Sequence, residues 1–477
     1  MNYLIESIQS FKDYDSYTRE QITEICNDII LKINTIFQNH STFDLELIED
    51  LSNAFETTSE NKEDFAEVST PISLLSKISN HIDKDYLSKD NPTFLDYSCG
   101  KGNIIIMIFL RYYTILKDSN SDKNALCEKI CSKIYFSDIN PMNVFITYYK
   151  LKELCQFICN NDNFTYNYHI GDSFNLDLNE IWNIEKINII FVNPPFEDKN
   201  KRNTTPHKLW IDFTLKSFKD WLSPDGYLIQ ISPSSFSSPS SKILKLFREK
   251  NVQSLYFAQE KHFKNISIAI SYYIIQNNDT IGDTNVNDLY KLRIDDSMLY
   301  IPNDYNPVSL SIHKKVMFEP TEKLKIDKDY VTCHNIRLKD EKSTLSKTKT
   351  DIHIYPIFHT NRQVWFSSLK QEFLDKKKVM WTRSGYTKPF YDNGIHGTTD
   401  LAYFVRVTND AEGENLTHNI CSILFKYIFK TAKWSGFGND KVFNALPKLP
   451  DKKMNDNELF NYFNLTDDEI LYLKDVS

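Results

Sequence analysis

The chain has 477 residues, enough for two or three domains with sizeable cores, and its 41% hydrophobic and 14% aromatic content is that of a globular protein. A net charge of -8 argues against a chain that coats nucleic acid uniformly, no apolar run approaches the length of a membrane span, and Met1–Ser10 lacks the basic and apolar regions of a signal peptide. The expectation is an intracellular, cytoplasmic protein without membrane association, whose eight cysteines are thiols.

Charge is unevenly spread. Residues 1–60 hold 3 Lys/Arg against 12 Asp/Glu, whereas residues 341–450 hold 16 against 10, so a polyanion would meet the C-terminal part. The acidic N-terminal stretch shows helical apolar spacing, as from Ile22 to Ile33, and no catalytic grouping; it predicts a helical segment over 1–60. A polar stretch from Thr57 leads to Thr70-Pro71, where Thr70 is placed to cap a helix with Pro71 at its first position, running to about Ser79.

Thr93–Tyr97 reads as a strand, Ser98-Cys99-Gly100-Lys101-Gly102 as a glycine turn and Asn103 to about Leu116 as an apolar helix, the first unit of a doubly wound sheet. The glycines let a ligand approach the backbone and the helix N-terminus. Their pattern is neither the three-glycine dinucleotide fingerprint nor a phosphate-cradling loop, so the ligand need not carry phosphate. Cys127/Cys131 and Cys155/Cys159 are spaced to share helix faces, but they lack the turn residues of zinc knuckles and read as buried thiols, with no metal expected.

A second strand, Lys133–Ser137, runs into Asp138-Ile139-Asn140-Pro141, placing Asp138 where it could bind both hydroxyls of a ribose. A third, Tyr166–Ile170, runs into Gly171-Asp172-Ser173-Phe174. There Asp172 could accept from an adenine amino group, with Ile139 and Phe174 enclosing the ring. Each acid taken singly also fits a helix cap or a turn. Asp96, Asp138, Asp172 and Asn193 at the ends of four consecutive strands form an order that chance would not usually arrange.

The fourth strand, Ile189-Ile190-Phe191-Val192, is cut off by Asn193-Pro194-Pro195-Phe196. The Asn193 side-chain oxygen and the Pro194 carbonyl can both accept from the NH2 group of a heteroaromatic amine, which localises its lone pair. The two prolines hold those acceptors in place, and Phe196 offers a face for stacking. Further helices are expected at Pro206–Leu222 and Ser240–Glu249, and strands at Gly226–Ser232, Val252–Phe257 and Ile268–Gln276. The last two form a hairpin that puts one antiparallel strand into an otherwise parallel sheet. Phe263 falls in that hairpin, facing the substrate edge or packed in the core.

After Asn277 the composition shifts to Asn, Asp and Thr, marking a linker to about Asn287. Beyond it come irregular strands, the basic run Lys376-Lys377-Lys378, and aromatics beside cations at Arg362–Trp365, Trp381–Arg383 and Lys433–Gly438. Such interleaving suits a nucleic-acid surface, with Arg362, Lys376, Lys377, Lys378, Arg383 and Trp434 as candidate contacts; a solvated face is the alternative. Leu465–Ile470 starts a short capped helix. The expected domains are a helical segment at 1–60, a catalytic domain at 61–280, a recognition module at 285–450 and a helical tail at 451–477.

On Asp96-x-x-Cys99-Gly100-x-Gly102 followed by Asn193-Pro194-Pro195-Phe196, with Thr70-Pro71 in support, the chain resembles the adenine-N6 DNA methyltransferases of the gamma motif order. It is most similar to the single-chain enzymes of restriction-modification systems. The resemblance covers about Phe65 to Gln276 well and the remainder loosely. It implies an α/β fold with a seven-stranded Rossmann-like methyltransferase sheet, an N-terminal helical segment and a C-terminal target recognition domain. It also implies S-adenosyl-L-methionine as cofactor, double-stranded DNA as partner, and a cognate restriction endonuclease as a further candidate partner.

In that scheme Thr70, Pro71, Asp96, Ser98, Cys99, Gly100 and Gly102 would hold the methionine part of the cofactor. Asp138 would hold the ribose, and Asp172, Ser173 and Phe174 with Ile139 the adenine. Asn193, Pro194, Pro195, Phe196 and Phe263 would hold the target base, which must be flipped from the duplex. The family usually has Pro at the position of Tyr97, Ser or Asp at Lys101 and more often Tyr at Phe196. The first two changes bear on loop shape and cofactor affinity; the third keeps the stacking face. Methylation of an RNA adenine or a protein glutamine amide, and a modification subunit needing a separate specificity protein, stay open at this point, as do monomer and dimer.

Overall fold

Short apolar strands alternate with helices from residue 94 to residue 276, the pattern of strands buried on both faces. The computed structural model of the chain describes residues 2–56, 69–197, 208–239, 241–263, 268–328, 344–360, 363–383, 388–433 and 440–476. They fall into two units, one of residues 1–233 with 249–282, the other of residues 234–248 with 283–477.

The first unit opens with helices α1 (Asn2–Gln9), α2 (Arg19–Gln38), α3 (Leu45–Asn53) and α4 (Ile72–Ser79). A reciprocal capping box between Thr18 and Gln21 starts α2, and the Asp44 carboxylate accepts from the Glu46 and Leu47 N–H groups at the start of α3. Both starts are therefore written locally. Ile22, Cys26 and Ile33 of α2 and Leu47, Ile48 and Leu51 of α3 are buried in the same core as the sheet.

The sheet elements follow as β1 (Phe94–Asp96), α5 (Asn103–Leu116), α6 (Lys123–Cys131), β2 (Ile134–Asp138), α7 (Pro141–Cys159), β3 (Asn167–Ile170), α8 (Leu178–Trp182), β4 (Ile187–Val192), α9 (Leu209–Lys216), β5 (Leu222–Pro233), β6 (Asn251–Tyr256) and β7 (Ile270–Gln276). Within this unit the strand order is β3-β2-β1-β4-β5-β7-β6. The first five pair in parallel, while β7 runs antiparallel to both β5 and β6, as a hairpin there requires. The result is a large mixed sheet whose chain path changes direction between β1 and β4. The carboxyl ends of those two strands border the crevice where open α/β sheets bind ligands.

Two local expectations are corrected. Pro71, in extended backbone at φ -63 and ψ 139, is itself the N-cap of α4 and offers no side-chain cap, so Thr70 does not cap the helix. The helix expected over 206–222 is shorter at its end: α9 stops at Lys216 and a π-helical turn, Ser217–Trp221, leads into β5, while Pro206 lies outside the described residues.

In the second unit α10 (Lys242–Glu249, up to residue 248) is joined by β8 (Thr284–Val286) and β9 (Tyr290–Leu292), a hairpin where composition suggested a linker. Next come α11 (Pro307–His313), β10 (Asp327–Lys328), β11 (Leu345–Ser346), β12 (Tyr355–Thr360), β13 (Gln363–Ser367), β14 (Lys377–Thr382), β15 (Phe390–Asn393), β16 (Gly397–Thr398) and β17 (Ala402–Arg406). They form two four-stranded sheets, β10-β17-β14-β15 and β11-β13-β12-β16, where irregular strands were expected. Helices α12 (Asp410–Ile420), α13 (Ile423–Thr431), α14 (Asp440–Phe443), α15 (Asp456–Tyr462) and α16 (Asp467–Val476) complete the unit. Trp381, Tyr403, Phe425, Ile428 and Phe460 belong to its core. Reciprocal bonds between Thr466 and Glu469 start α16, the capped helix anticipated in the tail.

Among the described residues no helix is long and apolar enough to cross a membrane, and no group of three or more His, Cys, Asp or Glu side chains is arranged to hold a metal ion. Cys131 Sγ lies 3.5 Å from Cys155 Sγ, and burial holds the Cys26 thiol up at about 11.

Candidate active site

β1 ends on Asp96 and β2 on Asp138, while Asp172 and Asn193 stand two residues past β3 and one past β4, so all four polar residues lie at carboxyl ends of neighbouring strands. The loop after β1 bends through Gly100 at φ +50 and Gly102 at φ +85, conformations that side chains with a Cβ resist. Gly102 also has no room: a Cβ there would stand 2.8 Å from Thr147 Oγ1.

Asp96 is 1% exposed; its Oδ1 accepts from the Ser98 N–H at 3.1 Å and its Oδ2 is buried without a hydrogen-bond partner. Burial pushes this carboxyl well above the usual range, the Ser98 N–H pulls it back, and the charge of Asp138 adds to the rise. Asp138 is also raised by burial, but its carboxylate accepts from the Gly100 N–H and the Asn140 N–H, each at 2.8 Å, and from Asn143 Nδ2 at 3.4 Å. Three of its roughly four lone-pair sites thus serve the protein, drawing the loops after β1 and β2 together.

At the tip of β4, Asn193 is half-buried; its Nδ2 donates to Thr70 Oγ1 at 3.0 Å and its backbone carbonyl accepts from Ser98 Oγ at 3.5 Å. The structure therefore brings the Asn193 side chain, Thr70 and the loop after β1 to one place. Pro194 is buried, Pro195 half-buried, and Phe196 packs half-buried against the unit's core. Cys99 is buried beside Thr147, at 3.8 Å between Sγ and Oγ1.

The third strand end behaves differently. Asp172 is exposed and its carboxylate accepts from the Phe174 N–H at 2.9 Å, which is a cap. Ser173 is buried, its hydroxyl donating to the Tyr97 carbonyl at 2.5 Å. Phe174 stacks on Phe213 of α9 with ring centroids 3.9 Å apart and 18° between planes, and Tyr97 stacks on Phe213 in turn at 4.9 Å. That gives Tyr97 a packing role in its loop. Ile139 is 54% exposed, not enclosed. Phe263 is 8% exposed and belongs to the core.

Three comparisons frame this geometry. No family model matches the chain, and no curated protein matches it. Among solved structures, the type IIL restriction-modification enzyme MmeI in complex with DNA superposes with a TM-score of 0.53 at 10% identity, over 92% of this chain and 80% of that one. A DrdV–DNA complex superposes with a TM-score of 0.54 at 11% identity, over 94% of this chain and 67% of that one. The chain shares their fold. It also aligns with a modification subunit of a putative type I restriction enzyme from Vibrio vulnificus YJ016, at 15% identity and a TM-score of 0.38, but spans only 53% of that subunit's length.

Four residues of the site escaped sequence reasoning. Thr147 and Lys150 of α7 donate to the carbonyls of Gly100 at 3.1 Å and Lys101 at 2.8 Å, holding the glycine loop from behind. Asn103, first in α5, reaches Ser52 Oγ, Ser69 Oγ and the Thr70 carbonyl. Phe213 backs Phe174. The available signal was polar residues inside apolar helix faces, Lys150 above all at 1% exposure.

In the second unit one candidate contact, Lys378, is corrected, and two of the aromatics beside the cations face inward. Lys378 is fully buried in an ion pair with Asp392 at 2.8 Å, and Lys377 pairs with Asp410 at 2.6 Å, leaving Lys376 as the exposed member of the run. Trp381 is 1% exposed in a strand buried from Lys378 to Thr382, and Trp365 is buried with its ring 3.7 Å from that of His359. Arg383 is half-buried, and Arg362 and Trp434 lie outside the described residues.

Proposed function

We propose that the chain is a site-specific DNA methyltransferase of the gamma motif order that moves a methyl group from S-adenosylmethionine to the N6 amine of an adenine flipped out of duplex DNA. The observation that carries this reading is the meeting of Asp96–Gly102 with Asn193–Phe196 at the switch between β1 and β4. The likeness to restriction-modification enzymes supports the same reaction class, and the structures solved with DNA support DNA as the partner. The choice of adenine rests on Asn193-Pro194-Pro195-Phe196.

The residues present fit the cofactor. Asp96 Oδ2 is a buried acceptor lacking a donor, and the ammonium of a methionine part would supply one and restore the carboxylate charge. Pro71, Ser98, Cys99, Gly100 and Gly102 would complete that subsite, Asp138 would offer the ribose its remaining acceptor capacity, and Asp172, Ser173, Phe174 and Ile139 would stand about the adenine. S-adenosylmethionine supplies a methyl group on a cationic sulfur, already electrophilic.

The chain's own task is placement. The Asn193 side-chain oxygen and the Pro194 carbonyl accept from the adenine NH2 group, so its lone pair turns outward from the ring. Pro194 and Pro195 keep those acceptors from relaxing. Phe196 is the aromatic that would face the flipped base, whose extrusion costs a few kcal/mol. In this reading the C-terminal part, 285–450, acts as the target recognition domain.

Asn193→Ala is expected to abolish methyl transfer to duplex DNA while S-adenosylmethionine still binds in calorimetry. Near-normal turnover of that variant would remove Asn193 from the chemistry. Mass spectrometry of digested DNA decides the base: N6-methyladenine is expected, and a methylated cytosine would retire the adenine assignment alone.

A further inference from the structure

Building on the methyl-transfer reading, we infer that Thr70 is a positioning residue that holds the Asn193 amide in place beside the loop after β1, and that Asn103 holds Thr70 in register. An asparagine amide is nearly symmetric in shape and opposite in chemistry at its two ends, since the oxygen accepts and the nitrogen donates. Turned the wrong way, Asn193 would present NH2 to the substrate's own NH2 and could accept nothing from it.

The hydrogen bond from Asn193 Nδ2 to Thr70 Oγ1, at 3.0 Å, anchors the amide through its nitrogen arm, with Oδ1 on the other arm of the planar group. Thr70 is 5% exposed, so water competes little for this bond. The hydroxyl has no local task, because Pro71 occupies the N-cap of α4 without a side-chain bond. It is turned instead to a strand tip 123 residues away in sequence.

Thr70 is fixed in turn. Asn103 Nδ2 donates to the Thr70 carbonyl at 3.1 Å and lies 3.1 Å from Ser69 Oγ and 2.7 Å from Ser52 Oγ. Asn103 opens α5 directly after Gly102, so two side chains tie the amide of Asn193 to the loop after β1 and to α3. The orientation of the acceptor is thereby coupled to the shape of the cofactor loop.

The test separates positioning from cofactor binding. Thr70→Val keeps the shape and removes the hydrogen bond; at saturating cofactor and DNA, where any change in cofactor affinity is masked, it is expected to lower kcat by about tenfold to a hundredfold. Thr70→Ser is expected to retain most of the wild-type kcat, and Asn103→Ala to show a smaller loss of the same kind. If Thr70→Val does not fold, Thr70→Ala gives the same comparison. An unchanged kcat in the hydroxyl-free variant overturns the inference. So does a loss confined to cofactor Kd, or a serine variant as slow as valine when both melt like wild type. A wild-type chain that transfers no methyl group to DNA removes the function itself, a result distinct from those three.

Discussion

Lys150 carries an ammonium at 1% exposure with a backbone carbonyl at 2.8 Å and the Phe55 ring at 4.9 Å, and burial, reinforced by Lys101, pushes its pKa down to about 7. In the unfolded chain the same amine keeps the ordinary lysine value near 10.4. Between those values the unfolded chain binds the extra proton, so Lys150 makes stability rise with pH from about 7 to about 10; below 7 both states are protonated and the slope vanishes. Lys150→Met is expected to be more stable than wild type at pH 6 and to lose this rise, an effect of about 1.4 kcal/mol per pH unit at most. Urea midpoints of the two proteins at pH 6, 8 and 10 measure it, and parallel curves would refute it. The loop in front of Lys150 makes the second residue-scale case. Gly102→Ala combines a φ of +85 with a Cβ 2.8 Å from Thr147 Oγ1, so cofactor affinity and melting temperature should both fall. Unchanged values of both would show that the turn has slack.

Among elements, β14 shows how a strand can hide a charge that looks solvated in one dimension. Lys378 Nζ lies within hydrogen-bonding distance of the carbonyls of Phe373 at 3.2 Å, Leu374 at 3.3 Å and Lys376 at 2.9 Å, which share its three N–H groups with the Asp392 carboxylate at 2.8 Å. Asp392 on β15 also accepts from the His396 ring at 2.7 Å and from the Ile395 and His396 N–H groups. Every charge in this knot is satisfied, so removing one partner leaves the other buried and bare. Asp392→Ala is expected to destabilise the second unit by about 3–5 kcal/mol, read as a drop in its unfolding midpoint; a change under about 1 kcal/mol would mean that the strand pair relaxes around Lys378.

For the whole molecule, the division into two units with separate apolar cores, one around the sheet and one around Trp381, Phe425 and Phe460, predicts more than one unfolding transition in calorimetry. Asp392→Ala should then shift one transition and leave the other in place. A single transition that moves as a whole would make the chain one cooperative unit.

The strands leading to Asp96, Asp138, Asp172 and Asn193 were legible in the sequence because strand-forming and chain-breaking residues act over a few positions, and so were the sheet's antiparallel strand and the capped helix of the tail. The same local rules marked Asn193-Pro194-Pro195-Phe196 as a chemical tip. They could not say that Thr70 would meet Asn193, that Asn103 and Lys150 would hold the loops, that Asp138 would spend its acceptors on the framework, or that Lys378 and Trp381 would face inward. Those outcomes depend on contacts between residues tens to more than a hundred positions apart. A hydrogen bond or an ion pair gains its strength from burial, and only the closed fold supplies that burial.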